Sequence, residues 1–540
     1  MGKIKNNLIN GKEHLYPAIA ILIILISAFL TLPNRYLWEP DETRFAEIAR
    51  EMLTTHQWWV LHLNGEVYTQ KPPLYIWILA GLRKIGLSWT AAGVLPSLAA
   101  LTGIFLLLPN FGRVLGITEK DSYFPSLILA SFPLMVIMGL AARMDMLLNF
   151  FYFSSFFFLA KLFQSTNSSQ KEKITHLGFW LMLGLGTLTK GPVAFALPLF
   201  VALSLYWLSP SPRLKLSSIF SGWGPLLFFL LLLIWLTPAL IYGGKKYLYA
   251  LVRQTEIHAV KSPSHHKPFY FYFLIYPVIT LPWSLVILIG VVKGFLHRYS
   301  FPQLFLATSL TAIMLFFSAI SSKLPIYLLP LYPLAALLIP NILGHKTRLI
   351  KIGIGYGALG VIITGIGSIF ISHWLPQVKP PTPLWLAKSF IVILLGAIAL
   401  IFLFTKEKAK TSAILISIAF FLLTFFFLPE VVSQFNQKQS SYDIAMRIKT
   451  LEPDGKIGFV YRAQINGLSL YSERIFKTIK DQKSLLKTIQ QGEIVVISEK
   501  EWNKLPPEIT QMARVIESFP FRQGKLLLVR PALVNPNRDK

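Results

Sequence analysis

Long apolar runs separated by short polar joints dominate the chain up to about residue 430. The runs fall near 15–33, 90–112, 122–140, 144–163, 174–189, 191–209, 217–242, 270–292, 301–320, 324–343, 350–373, 384–405 and 410–428. At roughly 20 residues per bilayer crossing they predict about 13 transmembrane helices. Several runs contain Pro or Gly, which spanning helices tolerate because neighbouring helices satisfy the freed backbone groups. The run 74–82 differs, being short and closed by Arg83 and Lys84. It reads either as a span or as a helix lying along the membrane interface.

Beyond residue 430 the pattern changes. Residues 431–540 are polar and charged, with short apolar runs at Ile457–Tyr461, Glu493–Ser498 and Lys525–Val529 and helical periodicity near 441–450 and 482–490. This mixture predicts a small α/β domain with a sheet. It carries no G-x-G-x-x-G, no P-loop and no metal-ligand spacing. The expected organisation is mainly α: a transmembrane domain over 1–430, interrupted by polar segments at 34–88 and 243–269, then a soluble domain over 431–540.

Composition sharpens this picture. A chain of 540 residues that is 54% hydrophobic, with a mean hydropathy of +0.55, is not a soluble domain. Its 41 Phe, 20 Tyr and 13 Trp suit lipid-facing surfaces and interfacial belts. The net charge of +27 is not read as nucleic-acid binding, because the Lys and Arg residues sit in short joints between apolar runs. The absence of cysteine excludes disulfides and thiolate metal sites. The first apolar run lacks a small-residue cleavage site and is read as an uncleaved helix.

Charge placement gives an expected topology. With the N-terminus cytoplasmic and 74–86 in the interface, the cytoplasmic joints carry Lys3, Lys5 and Lys12; Arg113 and Lys120; Lys161, Lys171 and Lys173; Arg213 and Lys215; Lys293 and Arg298; Lys346, Arg348 and Lys351; and Lys406, Lys408 and Lys410. A span at 74–86 would invert every later joint and break the positive-inside rule. On this topology the segments 34–88, 141–145, 189–192, 243–269 and 321–327, and the C-terminal domain, all lie on the outer side. They hold Asp41, Arg44, Lys71, Asp145, Lys190, Arg253, His265, His266, Lys267 and Lys323. Charges on the side that orientation does not require, gathered at one face, point to a site.

Each candidate has a structural and a chemical reading. Asp41 in Trp38-Glu39-Pro40-Asp41-Glu42-Thr43-Arg44 is a general base or metal holder, or else marks a helix start; Arg44 lies one turn on, facing the same way. Lys71, held at a stiff corner by Pro72 and Pro73, is a point charge suited to phosphate, or a snorkelling lysine. Asp145 stands at the mouth of an apolar run, as a functional carboxylate or as a helix cap or Arg143 partner. Thr189-Lys190-Gly191-Pro192 reads mainly as a tight turn. The segment 243–269, with His265, His266 and Lys267, either binds a divalent cation or touches anionic lipid. Tyr327, after Ser322-Lys323-Leu324-Pro325, either hydrogen-bonds a phosphate or belongs to an aromatic belt.

Taken in order, Trp38–Arg44, Gln70-Lys71-Pro72-Pro73-Leu74, Ala142-Arg143-Met144-Asp145, Leu188–Pro192, His266-Lys267-Pro268-Phe269-Tyr270 and Ser322–Pro330 resemble the bacterial lipid A aminoarabinose transferases. These belong with the GT-C glycosyltransferases related to protein O-mannosyltransferases. The resemblance is dense over 15–430; the tail matches in size and position. It implies a polytopic GT-C membrane fold in the bacterial inner membrane, with the active site and C-terminal α/β domain periplasmic. It also implies a sugar donor on undecaprenyl phosphate and lipid A as acceptor, the lipopolysaccharide modification tied to polymyxin resistance, or else a protein or other glycan acceptor. A monomer is expected. By the same resemblance Asp41 and Asp145 are the catalytic aspartates, and Arg44, Tyr68, Lys71, Lys267 and Tyr327 surround the donor phosphate. The family holds a zinc-like metal between a glutamate preceding the lysine and a histidine of the long loop. Here that position is Gln70, an uncharged and poorer ligand, which leaves His265 or His266 with Glu42, Glu66 or Asp145 as the residues to consider.

Overall fold

The structure is a computed structural model that describes residues 2–117, 124–164, 170–209, 219–220, 222–260, 265–296, 300–343, 347–374, 382–405 and 408–532. The predicted joint residues Lys120, Arg213, Lys215, Arg298, Lys346 and Lys406, and positions 261–264 of the long polar segment, lie outside the described residues. The chain divides into two compact units. The first comprises 1–30, 69–75 and 94–429; the second comprises 31–68, 76–93 and 430–540.

The first unit is helical. Most predicted apolar runs coincide with helix: α1 is Gly2–Thr31, α4 Trp89–Val114, α7 Met144–Gln164, α8 Gln170–Lys190, α9 Val193–Leu208, α13 Phe301–Ala319, α14 Leu331–Leu343, α15 Arg348–Ile369 with the short α16 Ile371–Trp374, α17 Pro383–Thr405 and α18 Ala409–Gln439. Seven helices among the described residues are individually long and apolar enough to cross a membrane, or eight if one bent pair counts as a span. This is a multi-pass membrane protein. Burial ranks the helices. The apolar window of α7 is 83% buried, whereas that of α10 (Gly224–Val260) is 17% buried and exposes Leu226, Phe229, Leu230, Leu233 and Ile234. A helix that is apolar all round and this uncovered is solvated by lipid.

Two runs and one polar segment depart from the sequence expectation. The run 122–140 is not one helix but two, α5 (Phe124–Ala130) and α6 (Pro133–Gly139), because Pro133 stops the ladder and opens the next helix. The run 270–292 is also broken, into α11 (Phe271–Ile279) and α12 (Ser284–Leu296), bent by 118°. The polar segment 243–269 is largely helical, since α10 continues to Val260 past a break at Gly244, where φ is +65°.

The second unit is mixed. The first polar segment contributes α2 (Asp41–Thr55), a two-stranded ribbon of β1 (His62–Leu63) and β2 (Glu66–Val67), and α3 (Leu74–Lys84), whose first two residues fall in the other unit. At 1.5 Å per residue α3 is about 16 Å long, well short of a hydrocarbon core of roughly 30 Å, so it does not span. The C-terminal part forms a five-stranded sheet in the order β4-β3-β5-β7-β6, with β3 Ile457–Tyr461, β4 Ile475–Ile479, β5 Val495–Ser498, β6 Ala513–Phe521 and β7 Gly524–Pro531. β3 runs parallel to β4 and β5; β7 is antiparallel to β5 and β6.

Helices cover both sheet faces. Val460, Val496, Leu526 and Leu528 meet α19 (Tyr442–Leu451) and α20 (Asn466–Ser472) through Ile444, Ile448 and Leu468. The alternate residues Tyr461, Val495, Ile497, Leu527 and Val529 meet α21 (Gln482–Gln490) through Leu485 and Ile489. Burial on both faces explains why the central strands read as continuous apolar runs.

This domain grips the segment that leads into α2. Tyr36 N and Trp38 Nε1 donate to Asn436 Oδ1 at 2.8 and 3.3 Å, and Leu37 N donates to the Tyr471 hydroxyl at 2.9 Å. Tyr36 stacks on Tyr442 with centroids 4.0 Å apart. The buried Glu39 carboxylate accepts from Gly467 N at 2.6 Å, Thr43 Oγ1 at 2.7 Å and Ser441 Oγ at 3.0 Å. Burial pushes this carboxyl above its usual range, and the three donors oppose that. Gly467 permits the approach: a Cβ there would lie 2.2 Å from Ser441 Oγ and 2.7 Å from Glu39 Oε1. Gly467→Ala should therefore destabilise the second unit by about 1–3 kcal/mol through overpacking. Limited proteolysis of the full chain in detergent should show earlier cleavage within 31–68, whereas an unchanged pattern would contradict the packing described.

Candidate functional site

The predicted residues divide between the units. In the second, Asp41 opens α2 directly after its N-cap Pro40. Arg44, one turn on, pairs with it through Nη2. Tyr68 is buried at 4% exposure, its backbone N–H fixed on Leu61 O at 2.7 Å. Burial pushes its phenol up to about 12; the Arg44 charge opposes this and the Asp41 charge reinforces it. Asp41, Arg44 and Tyr68 thus share one electrostatic neighbourhood, with the phenol a neutral donor at physiological pH. The Tyr68 hydroxyl and Arg44 Nε are both buried without an acceptor. Two unfilled donors beside a carboxylate can receive an oxyanion, and the carboxylate can take or orient a hydroxyl proton.

Both carboxylate oxygens of Glu42 are occupied by protein donors. Its Oε1 accepts from Arg35 Nη2 at 2.5 Å and its Oε2 from Trp38 N at 2.9 Å, with both charged side chains buried. Arg35 also lies 5.0 Å over the Trp38 ring. A carboxylate with both oxygens occupied holds the turn into α2. His265 and His266 are exposed residues of the first unit, and no group of three or more His, Cys, Asp or Glu side chains suited to a metal occurs among the described residues. The residues present do not fit a divalent ion, and no step is assigned to one.

In the first unit Asp145 is the second residue of α7 and is 5% exposed. Its Oδ2 accepts from Arg143 Nε at 3.1 Å and its Oδ1 from Lys190 Nζ. Lys190 Nζ also lies 4.7 Å over the Tyr327 ring. The Ser97 hydroxyl holds the Arg143 carbonyl at 2.8 Å. Three polar joints that are far apart in sequence, 141–145, 189–192 and 321–327, therefore meet. Lys190, read from sequence as part of a turn, is a partner of Asp145, and no periodicity could have shown that. A buried carboxylate between two cations orders both of them and leaves them oriented for a further anion.

The segment 265–267 joins the 321–327 joint. Lys267 N donates to Ser321 O at 3.3 Å, Lys323 N donates to His265 O at 3.0 Å, and His266 bridges Ser322. Lys323, 3% exposed, donates through Nζ to the carbonyls of Lys267 and Ile320. It acts as a strut. Lys267 is exposed, with Nζ 5.9 Å over the Phe271 ring. Lys71 is half-buried in the Lys71-Pro72-Pro73 corner ahead of α3.

Comparison with known proteins follows from this geometry. The dolichyl-phosphate-mannose-protein mannosyltransferase family matches residues 17–252. An undecaprenyl phosphate-alpha-4-amino-4-deoxy-L-arabinose arabinosyl transferase of Pseudomonas fluorescens is 29% identical over 377 residues, 67% of this chain and 66% of that protein. The transferase of the same name from Yersinia enterocolitica is 29% identical over 333 residues, 59% of this chain and 58% of that one. The chain thus spans less than two thirds of either relative. Among solved structures, ArnT from Cupriavidus metallidurans bound to undecaprenyl phosphate superposes with a TM-score of 0.77 at 19% identity, covering 97% of this chain and 98% of that one. The oligosaccharyltransferase AglB from Archaeoglobus fulgidus superposes with a TM-score of 0.52 at 11% identity, covering 90% and 70%. In sequence this chain is similar to the aminoarabinosyl transferases over up to 67% of its length, and it shares the fold of ArnT.

Proposed function

We propose that the chain transfers a sugar, 4-amino-4-deoxy-L-arabinose, from undecaprenyl phosphate to lipid A at the periplasmic face of the bacterial inner membrane. The observation that carries this reading is the similarity to relatives named for arabinosyl transfer from that carrier, over up to 67% of the chain. In this reading the protein acts as a monomer, its N-terminus is cytoplasmic, and its C-terminal domain is periplasmic.

The chemistry follows from charge. A polyprenyl phosphodiester that loses its sugar leaves as a phosphate monoester bearing additional negative charge, so cations placed at the leaving oxygen stabilise the transition state. Within the second unit, Arg44 is the cation assigned to the carrier phosphate, with Tyr68 as hydroxyl donor. Asp41 faces the acceptor as base when that acceptor is a hydroxyl. When it is a phosphate, already ionised, Asp41 instead fixes Arg44. Asp145 keeps Arg143 and Lys190 ordered. A second reading, transfer to a protein acceptor, is favoured by the mannosyltransferase family match over residues 17–252.

Three outcomes follow. Mass spectrometry of lipid A from cells with and without the protein should show an added aminoarabinose only when it is present. An unchanged lipid A profile would remove the lipid A reading in favour of the protein acceptor. In a purified system Asp41→Asn should slow transfer by about 100-fold or more while the carrier still binds, the range for loss of a positioned base. Near-normal turnover would leave Asp41 without the role given it. Lys190→Met should cost about 3–5 kcal/mol of stability, read as a fall in Tm, because it breaks a buried ion pair. Adding Asp145→Asn to Lys190→Met should recover part of that loss. Strict additivity of the two effects would show that the pair is not coupled.

A further inference from the structure

A cleft of about 500 Å³ opens within the second unit, between the C-terminal half of α2 and the turn-strand region of the C-terminal domain. Arg474, Lys456, Arg50 and His62 line it, together with Glu51 and Glu473. Arg50 and Asp41 are nine residues apart on α2, about 180° around a helix of 3.6 residues per turn, so the cleft lies away from the Asp41 side.

The charges of the cleft do not cancel locally. Glu51 is already used: its carboxylate accepts from the backbone N–H groups of Asn64 and Gly65. Arg50 is held through Nε and Nη2 by Glu47, each at 2.8 Å. Glu473 pairs with Lys449 at 3.0 Å. Arg474 is different. Its side chain is 3% exposed, and neither Nη1 nor Nη2 has a hydrogen-bond acceptor. Glu452 Oε2 makes a long ion pair with Nη1 at 3.5 Å, and no hydrogen bond. A guanidinium cannot shed its charge, and burying one without acceptors on two nitrogens is costly. Gly455 leaves room for this arrangement, since a Cβ there would lie 2.4 Å from Nη1.

We propose that this cleft binds the phosphate ester of a polyol. Arg474 provides the buried fork for the phosphate and Lys456 the exposed cation at the mouth. The remaining lining fits the rest of such a ligand: the hydroxyls of Thr54 and Thr55 and the amide of Gln57 suit sugar or glycerol hydroxyls. A volume of about 500 Å³ holds more than a bare ion. The same chemistry is offered by a soluble sugar or glycerol phosphate and by a phospholipid headgroup. The site does not depend on the sugar-transfer reading.

The test uses the full-length protein in nanodiscs. sn-Glycerol 3-phosphate is titrated into phosphatidylcholine discs, and in parallel the discs are made with or without phosphatidic acid. Binding is read by thermal shift and by hydrogen exchange of residues 452–456 and 473–475. A saturable response to glycerol phosphate identifies a soluble ester; a response confined to phosphatidic acid identifies a headgroup. Arg474→Gln should weaken the response by about tenfold, equal to 1.4 kcal/mol. Lys456→Gln, at an exposed position, should weaken it several-fold, and Glu452→Gln should strengthen it by removing a competing carboxylate. No response to either probe overturns the proposal, as does a response that neither Lys456→Gln nor Glu452→Gln alters.

Discussion

A charge withdrawn from water must be matched, and in a chain this apolar that requirement governs where the ionisable groups sit. Glu39, Glu42, Asp145 and Lys323 are all buried, and each is satisfied by a different device. Glu39 collects a backbone N–H and two hydroxyls. Glu42 takes a guanidinium and a backbone N–H. Asp145 is shared by two cations. Lys323 caps two carbonyls. Arg44, Tyr68 and Arg474 are among the buried groups left with a donor unmatched.

The two units satisfy this requirement in different ways. In the helical unit the polar groups sit at helix ends and in joints, where 141–145, 189–192 and 321–327 supply each other's partners. In the second unit a sheet covered on both faces provides a rigid base, and Asn436, Ser441, Gly467 and Tyr471 fix the segment carrying Glu39 into α2. The orientation of Asp41 is therefore set by residues roughly 400 positions away.

The sequence made the apolar helices legible because lipid demands hydrophobic length, but not the breaks at Pro133 and between Ile279 and Ser284. It made β3, β5 and β7 legible for a related reason, as central strands covered on both faces. It did not show β4 and β6. Both are edge strands with mostly exposed or half-exposed residues, and β6 adds a register shift between Val515 and Glu517. Spacing on one helix revealed the Asp41–Arg44 pair. No local pattern could reveal that Lys190 meets Asp145 or that Glu39 meets Gly467, because those contacts arise only when distant segments fold together. Glu42 looked available because its neighbours in sequence do not include the side chain of Arg35, seven residues earlier.

The 118° bend between α11 and α12 carries one more implication. A hairpin that enters and leaves through the same leaflet adds nothing to the tally of traverses, whereas a crooked rod adds one. The leaflet at which α13 and every later helix begins is decided by that parity. A short elbow, Thr280-Leu281-Pro282-Trp283, thus sets which way round the second half of the chain is inserted.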